Sequence, residues 1–219
     1  MLSQAVEDYL KVIFKLSSEG KRVSNSEIAR RLGVVNASVT GMLKKLADMH
    51  LVDYSRYRGV ELTESGKKIA VEMIRHHRLL ELYLKEAMGY TWDKVHDEAE
   101  NLEHHISEEF EEKIDEFLGR PETDPHGSPI PTKDGKIAPT PSTPLSSIPV
   151  GKQVIILRVS DSNAEMLRYL GGLNLYPRTH LTIIEREPFN GSTRISAHGV
   201  TCSLSPELCE AIFVEIVEE

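Results

Sequence analysis

Cysteine is scarce. The 219 residues hold two, Cys202 and Cys209. Their spacing suits neither a zinc knuckle nor a disulfide framework, so a reducing compartment, the cytoplasm, is the expected location. Long apolar runs are missing too: nothing approaches the ~18 residues a membrane span needs. The opening stretch, MLSQAVEDYLKVIFKL, carries acids inside its apolar pattern, which does not read as a secretory leader. No contact with a membrane is expected. The chain also has no HExxH, GxSxG or P-loop pattern. Di-iron oxidases need a Glu-x-x-His pair on each of two helices, and no histidine between 76 and 126 has that partner. No catalytic role is expected.

Hydrophobic residues make up 40% of the chain and charged residues 27%, which suits packed domains. The net charge of −8 would argue against nucleic acid, but its distribution is uneven. Residues 1–75 hold 13 Lys+Arg against 9 Asp+Glu, whereas residues 76–219 hold 13 against 25. Such asymmetry suggests different partners for different parts. Six of the nine histidines lie between 76 and 126.

Periodicity predicts a helix over 2–18, ended by Gly20, then a second capped by Ser24 or Asn25 and stopped by Gly33. A third begins at Asn36 or Ser38, and LVDYSRYRGVELT reads as a β-hairpin turning at Arg58-Gly59. That order is a winged helix-turn-helix. Thr63 to Met88 shows one long helical pattern, and Trp92 to Leu118 gives one or two very acidic helices. Eight prolines fall within 121–149, which reads as loop or linker. In the tail, VIILRV, HLTIIERE, STRISAHGV and AIFVEIV read as strands, a helix runs from Asn163 to Leu170, and SPEL forms a short turn. The expected fold is mainly α with a small β module. Its parts are a winged helix-turn-helix (1–62), a helical domain (63–131), a Pro-rich linker (132–149) and a small β-barrel-like domain (150–219).

The third helix opens with small polar residues, Asn36, Ala37, Ser38 and Thr40. Such residues let a helix sink into a major groove and meet base edges or thymine methyls. Arg30, Arg31, Lys44 and Lys45, with Arg56, Tyr57 and Arg58 of the wing, suit phosphates. Residues 20–60 carry eight bases and three acids, the electrostatic footprint of a double-stranded DNA partner. The competing reading is a three-helix fold that binds another protein.

Glu100, Glu103 and His104 share one helix face by their spacing, with His96 four residues before Glu100. On the preceding helix, His77 and Glu81 are also four apart. Carboxylates with imidazoles make a mixed oxygen and nitrogen site for a first-row divalent ion, and a cation would relieve the crowding of like charges. The alternative is a solvated acidic face, which is the reading for Glu108, Glu109, Glu111 and Glu112. His76 and His105 read as surface residues or as supports of the site.

VEDYLKVIFKL, RYRGVELTESGKKIA, RHHRLLELYL and VHDEAENLEHHIS, in that order and followed by PHGSPIP, resemble the diphtheria toxin repressor family of metal-dependent regulators. The likeness runs over residues 3–131. The tail resembles the SH3-like (FeoA-like) third domain of longer members. The resemblance implies a primary metal site of Asp8, His77, Glu100, Glu103 and His104. It also implies a secondary site of Glu81, Asp124, His126 and Asp161, with His96 in an ancillary arrangement. The iron-sensing branch has Met and Cys where this chain has Asp8 and Glu100. The oxygen ligands imply Mn²⁺, with Fe²⁺ as the alternative. Two-domain manganese regulators carry a glutamate where this chain has Lys11, so their two-ion cluster is not expected. The function implied is a homodimeric, Mn²⁺-dependent repressor of metal-uptake genes that binds a pseudo-palindromic operator. The alternatives are an Fe²⁺-dependent repressor and, from another class, a metal-buffering or interaction module without DNA binding.

Overall fold

The computed structural model describes residues 2–17, 21–56, 58–189 and 191–217. Gly20 and Tyr57 lie outside the described residues. Two units emerge. The first contains the chain up to His77, with Leu102–Ile106 and Pro131–Lys136. The second contains Arg78–Asn101, Ser107–Ile130 and everything from Ile137 onward.

The first unit begins with α1 (Gln4–Leu16), which buries Val6, Tyr9, Leu10 and Ile13. That 3–4 spacing makes one apolar stripe. α2 (Asn25–Leu32) starts in a capping box, the Ser24 side chain and the Glu27 side chain each meeting the other's backbone N–H. It stops at Gly33, whose φ of 66° is left-handed. α3 (Asn36–Asp48) buries Val39, Leu43 and Leu46 and leaves its first turn exposed. β1 (Val52–Ser55) and β2 (Gly59–Leu62) pair antiparallel, and Val23 bridges to Val60. Gly59 sits at φ 80°, and a Cβ there would lie 2.4 Å from the Val23 carbonyl oxygen. Only glycine allows that approach. These elements enclose one core, joined by Ala70 of α4 (Glu64–Met88). α4 gives its first half to this unit and its second half to the other.

In the second unit, α5 (Val95–Leu102) and α6 (Glu108–Phe117) divide the acidic stretch between them, Leu102 alone belonging to the first unit. The tail forms one antiparallel sheet of order β6-β5-β4-β3-β7, from β3 (Gln153–Val159), β4 (His180–Arg186), β5 (Thr193–Ala197), β6 (Val200–Leu204) and β7 (Ile212–Ile216). α7 (Ala164–Gly172) and α8 (Pro206–Ala211) complete it. STRISAHGV reads as one strand in the sequence but is divided between two strands in the structure. His198 and Gly199 both have positive φ, so the chain reverses in a two-residue turn between Ala197 and Val200. SPEL begins a short helix rather than a bare turn, because Ser205 caps it and Pro206 suits its first position. The core of this unit runs from Trp92 and Leu145 through Ile156, Leu167, Leu170 and Ile183 to Val214.

Candidate metal centres and nucleic-acid face

Three segments of the first unit meet around Glu103. α1 carries Glu7, Asp8 and Lys11, α4 carries His76 and His77, and the segment from Leu102 carries Glu103 and His104. Asp8, Glu103 and His104 each offer a ligand atom within 4.8 Å of the others. Glu103 is fully buried, and His77 is 2% exposed. His77 Nδ1 lies 2.6 Å from Glu103 Oε2. His76, also buried, has Nδ1 3.2 Å from the Glu103 main-chain oxygen. It thereby supports the segment that carries Glu103.

His104 explains why the cluster fits a cation. Its Nδ1 is 2.6 Å from Glu7 Oε2. A carboxylate has no proton to give, so the ring proton sits on Nδ1. In the neutral ring that leaves Nε2, 3.0 Å from Asp8 Oδ1 and 3.6 Å from Glu103 Oε1, with a lone pair toward two carboxylates. The approach to Asp8 has ion-pair distance without hydrogen-bond alignment, and Nε2 is buried with no hydrogen-bond partner among the described residues. Lone pair against lone pair is repulsive unless a positive charge lies between them. The donors are oxygen and imidazole nitrogen, with no thiolate. Glu100 sits on α5 in the second unit.

The first unit also contains a residue the chemistry of ligands does not call for. Lys11 is 3% exposed, and its Nζ stands 2.7 Å from both oxygens of Glu103 and 3.3 Å from His77 Nδ1. Its sequence position marks it only as a departure from a ligand pattern. Glu7 escaped the sequence reading altogether, since nothing in a lone acid beside Asp8 signals an imidazole partner.

The second unit gathers Glu81, Asp124 and His126 within 4.8 Å, all buried, and Glu81, His96 and Asp161 within the same limit. His96 Nδ1 is 3.1 Å from Glu81 Oε1. His126 donates from Nε2 to the Trp92 carbonyl oxygen at 2.8 Å, which turns Nδ1 toward Glu81 Oε2 at 3.8 Å. That Nδ1 is buried and has no hydrogen-bond partner among the described residues. Asp124 Oδ1 accepts from the backbone N–H groups of His126 and Ser128, which shapes the loop. Gly127, at φ 89°, passes so close to β3 that a Cβ would lie 2.0 Å from the Leu157 oxygen. Burial first, then the charge of Glu81, pushes the Asp124 carboxyl up to about 6. For His126, burial opposes the charged ring, but contact with Glu81 and the charges of Glu81 and Asp124 outweigh it and raise the imidazole to about 9. Arg78 Nε stands 3.7 Å from the other Asp124 oxygen, so the protein supplies a cation of its own to this cluster.

Of the residues expected to contact DNA, Arg30, Arg31, Asn36, Ala37, Ser38, Lys44, Lys45, Arg56 and Arg58 are all exposed, and Tyr57 lies outside the described residues. Thr40 is half-buried. Its hydroxyl donates to the Asn36 oxygen and accepts from Asn25 Nδ2, tying α3 to α2. Arg22 pairs with Asp53 of β1, at the base of the wing.

Three family descriptions match the chain. They are an iron dependent repressor N-terminal DNA binding domain over residues 1–60, an iron dependent repressor metal binding and dimerisation domain over 63–132, and a FeoA domain over 143–216. The iron-dependent repressor IdeR of Mycobacterium bovis is 28% identical over 228 residues, 99% of each chain. The transcriptional regulator MntR of Bacillus pumilus is 38% identical over 107 residues, 49% of this chain and 74% of that one. Among solved structures, a manganese-dependent transcriptional repressor in complex with manganese has a TM-score of 0.88 at 38% identity, covering 97% of this chain and 100% of the other. IdeR of T. acidophilum has a TM-score of 0.76 at 26% identity, covering 99% of both chains.

Proposed function

The chain belongs to the iron-dependent repressor family of DNA-binding, dimerising, metal-dependent transcriptional regulators, which are not enzymes, and from that premise we propose that it is a Mn²⁺-activated repressor of metal-uptake genes. One observation carries the choice of ion. The cluster of Asp8, Glu103 and His104 is built of oxygen and imidazole nitrogen alone, and the two cysteines of the chain stand far along the tail. Hard oxygen donors favour ions early in the first row, whereas a thiolate would favour later ones.

Asp8, Glu103 and His104 would hold the activating ion, with His77 and Glu100 as the further ligands that the family resemblance implies. Glu81, Asp124, His126, His96 and Asp161 would hold a second. A bound Mn²⁺ would supply a divalent charge shared among these carboxylates and imidazoles. Asp8 ties the site to α1, whose opposite face is locked into the core that also anchors α3. Order at Asp8 therefore becomes order in the DNA-reading elements. Two copies of α3 in a homodimer would then match the half-sites of a pseudo-palindromic operator. The protein's own groups must bind the ion better in the DNA-competent arrangement than in the other, since only differential affinity shifts the population.

Fe²⁺ remains the second reading, favoured by the end-to-end likeness to iron-dependent repressors. The test is a gel shift of the chain's own promoter region with chelator, Mn²⁺, Zn²⁺ and, under anaerobic conditions, Fe²⁺. Half-saturation by Mn²⁺ well below that by Fe²⁺ is the expected result. The reverse order identifies an iron sensor, and equal binding in chelator overturns metal dependence.

A further inference from the structure

We propose that the Lys11 ammonium is a tethered cation that competes with the activating metal for Glu103 and His77, so that loading the site requires Lys11 to withdraw. The proposal rests on the reading of Asp8, Glu103 and His104 as ligands. Glu103 has no exposure to solvent, and a carboxylate so placed must be compensated. Lys11 compensates it: Nζ meets Oε1 and Oε2 at 2.7 Å each. Oε2 also receives His77 Nδ1 at 2.6 Å. Both oxygens that a metal would need from Glu103 are already engaged by the protein itself.

A divalent ion added on the same side would stand next to a buried ammonium. Two cations sharing one desolvated carboxylate repel each other, and the low local polarisability that strengthens the Lys11–Glu103 pair strengthens that repulsion too. The arrangement is therefore exclusive: ammonium or metal. Lysine suits the role because its charge sits at the end of four rotatable carbons, so the head can swing away while the α1 backbone stays in its core. A shorter or bidentate cation would either fail to reach or fail to leave. Lys11 keeps the metal-free site ordered, and it raises the metal concentration at which the site fills.

The experiment titrates Mn²⁺ into the full chain and reads unbound ion by electron paramagnetic resonance. A His126→Gln background removes a donor from the second cluster, so the primary site dominates. In that background Lys11→Met should bind Mn²⁺ about tenfold more tightly or better. Its melting temperature in chelator should fall below the parent's, because Glu103 has lost a partner, and the gap should close at saturating Mn²⁺. Equal or weaker binding by Lys11→Met overturns the proposal. Glu103→Gln in the same background should lose the site. If it binds Mn²⁺ like the parent, the ligand reading itself is wrong and the proposal falls with it, by a result that differs from the first. A measurement on the unmutated chain guards against a folding defect in the variants. Acylation of Lys11 by an amine-reactive ester, mapped by mass spectrometry, should be slow in chelator and at least several-fold faster with Mn²⁺. Equal protection in both states also overturns the proposal.

Discussion

His104 and His126 meet the same situation with opposite ring nitrogens. His104 commits its Nδ1 proton to Glu7 and turns Nε2 toward carboxylates, while His126 commits Nε2 to the Trp92 carbonyl and turns Nδ1 toward Glu81. A partner that orients an imidazole matters nearly as much as the ligand, so Glu7→Gln should weaken Mn²⁺ binding by about 10-fold or more, measured by the same resonance titration. Asp124 and His126 both hold their protons more tightly in the folded chain than in the unfolded one. Stability that comes from a proton bound more tightly in the folded state is lost as that proton leaves. In chelator the melting temperature should therefore fall as pH rises, across about 4 to 6 for Asp124 and from about 6.5 to about 9 for His126. With Mn²⁺ the slope should shrink or reverse, because ligands must shed protons to bind. A stability profile in chelator that is flat from pH 6.5 to 9 would count against the shift at His126.

Among the elements, the loop from Asp124 to Ser128 and helix α3 show how backbone shape serves binding. The loop holds its two candidate ligands through backbone N–H groups on Asp124 and through Val159 N–H, which donates to the His126 oxygen at 2.8 Å. Gly127→Ala would force a side chain into the Leu157 oxygen at a positive φ. It should cost about 1–3 kcal/mol of stability and weaken the second cluster. Trp92 is the only tryptophan in the chain and stacks on His126 with ring centroids 5.7 Å apart, so its fluorescence during Mn²⁺ titration reports on that cluster. An unchanged fluorescence titration in Gly127→Ala would show that the loop geometry does not position the ligands. Lys44 is exposed on α3 one turn beyond Thr40, which suits a phosphate contact. Lys44→Ala should weaken binding to all DNA sequences alike and lower the salt slope by about 1.

At the scale of the whole molecule, the proposed mechanism makes the ion govern DNA binding rather than dimerisation. Asp8→Ala and Glu103→Ala should abolish Mn²⁺-dependent gel shifts while light scattering still reports a dimer. Loss of the dimer in both variants would mean that these residues support assembly rather than sensing.

Much of this was legible along the chain, and the reasons are local. The stripe of Val6, Leu10 and Ile13, the Ser24 and Glu27 cap and the Gly33 stop are written within a few residues of where they act, so helix order needs no tertiary knowledge. The turn at His198-Gly199 was harder to see, because it interrupts a run of β-prone residues without proline or an Asn-Gly pair. The convergence of Asp8 with residues near 103 could be inferred only by resemblance: on α1 alone, Asp8 looks like any solvated acid.

The amino-acid sequence by itself determined the three-part architecture, the basic α3 face and the types of candidate ligand, since periodicity, punctuation and charge act at short range. Only the tertiary structure decided which acids are buried, which imidazole nitrogen faces them, and that a lysine from α1 reaches into the carboxylate. Those outcomes depend on groups separated by scores of residues, whose protons and charges acquire meaning once folding has removed the water between them.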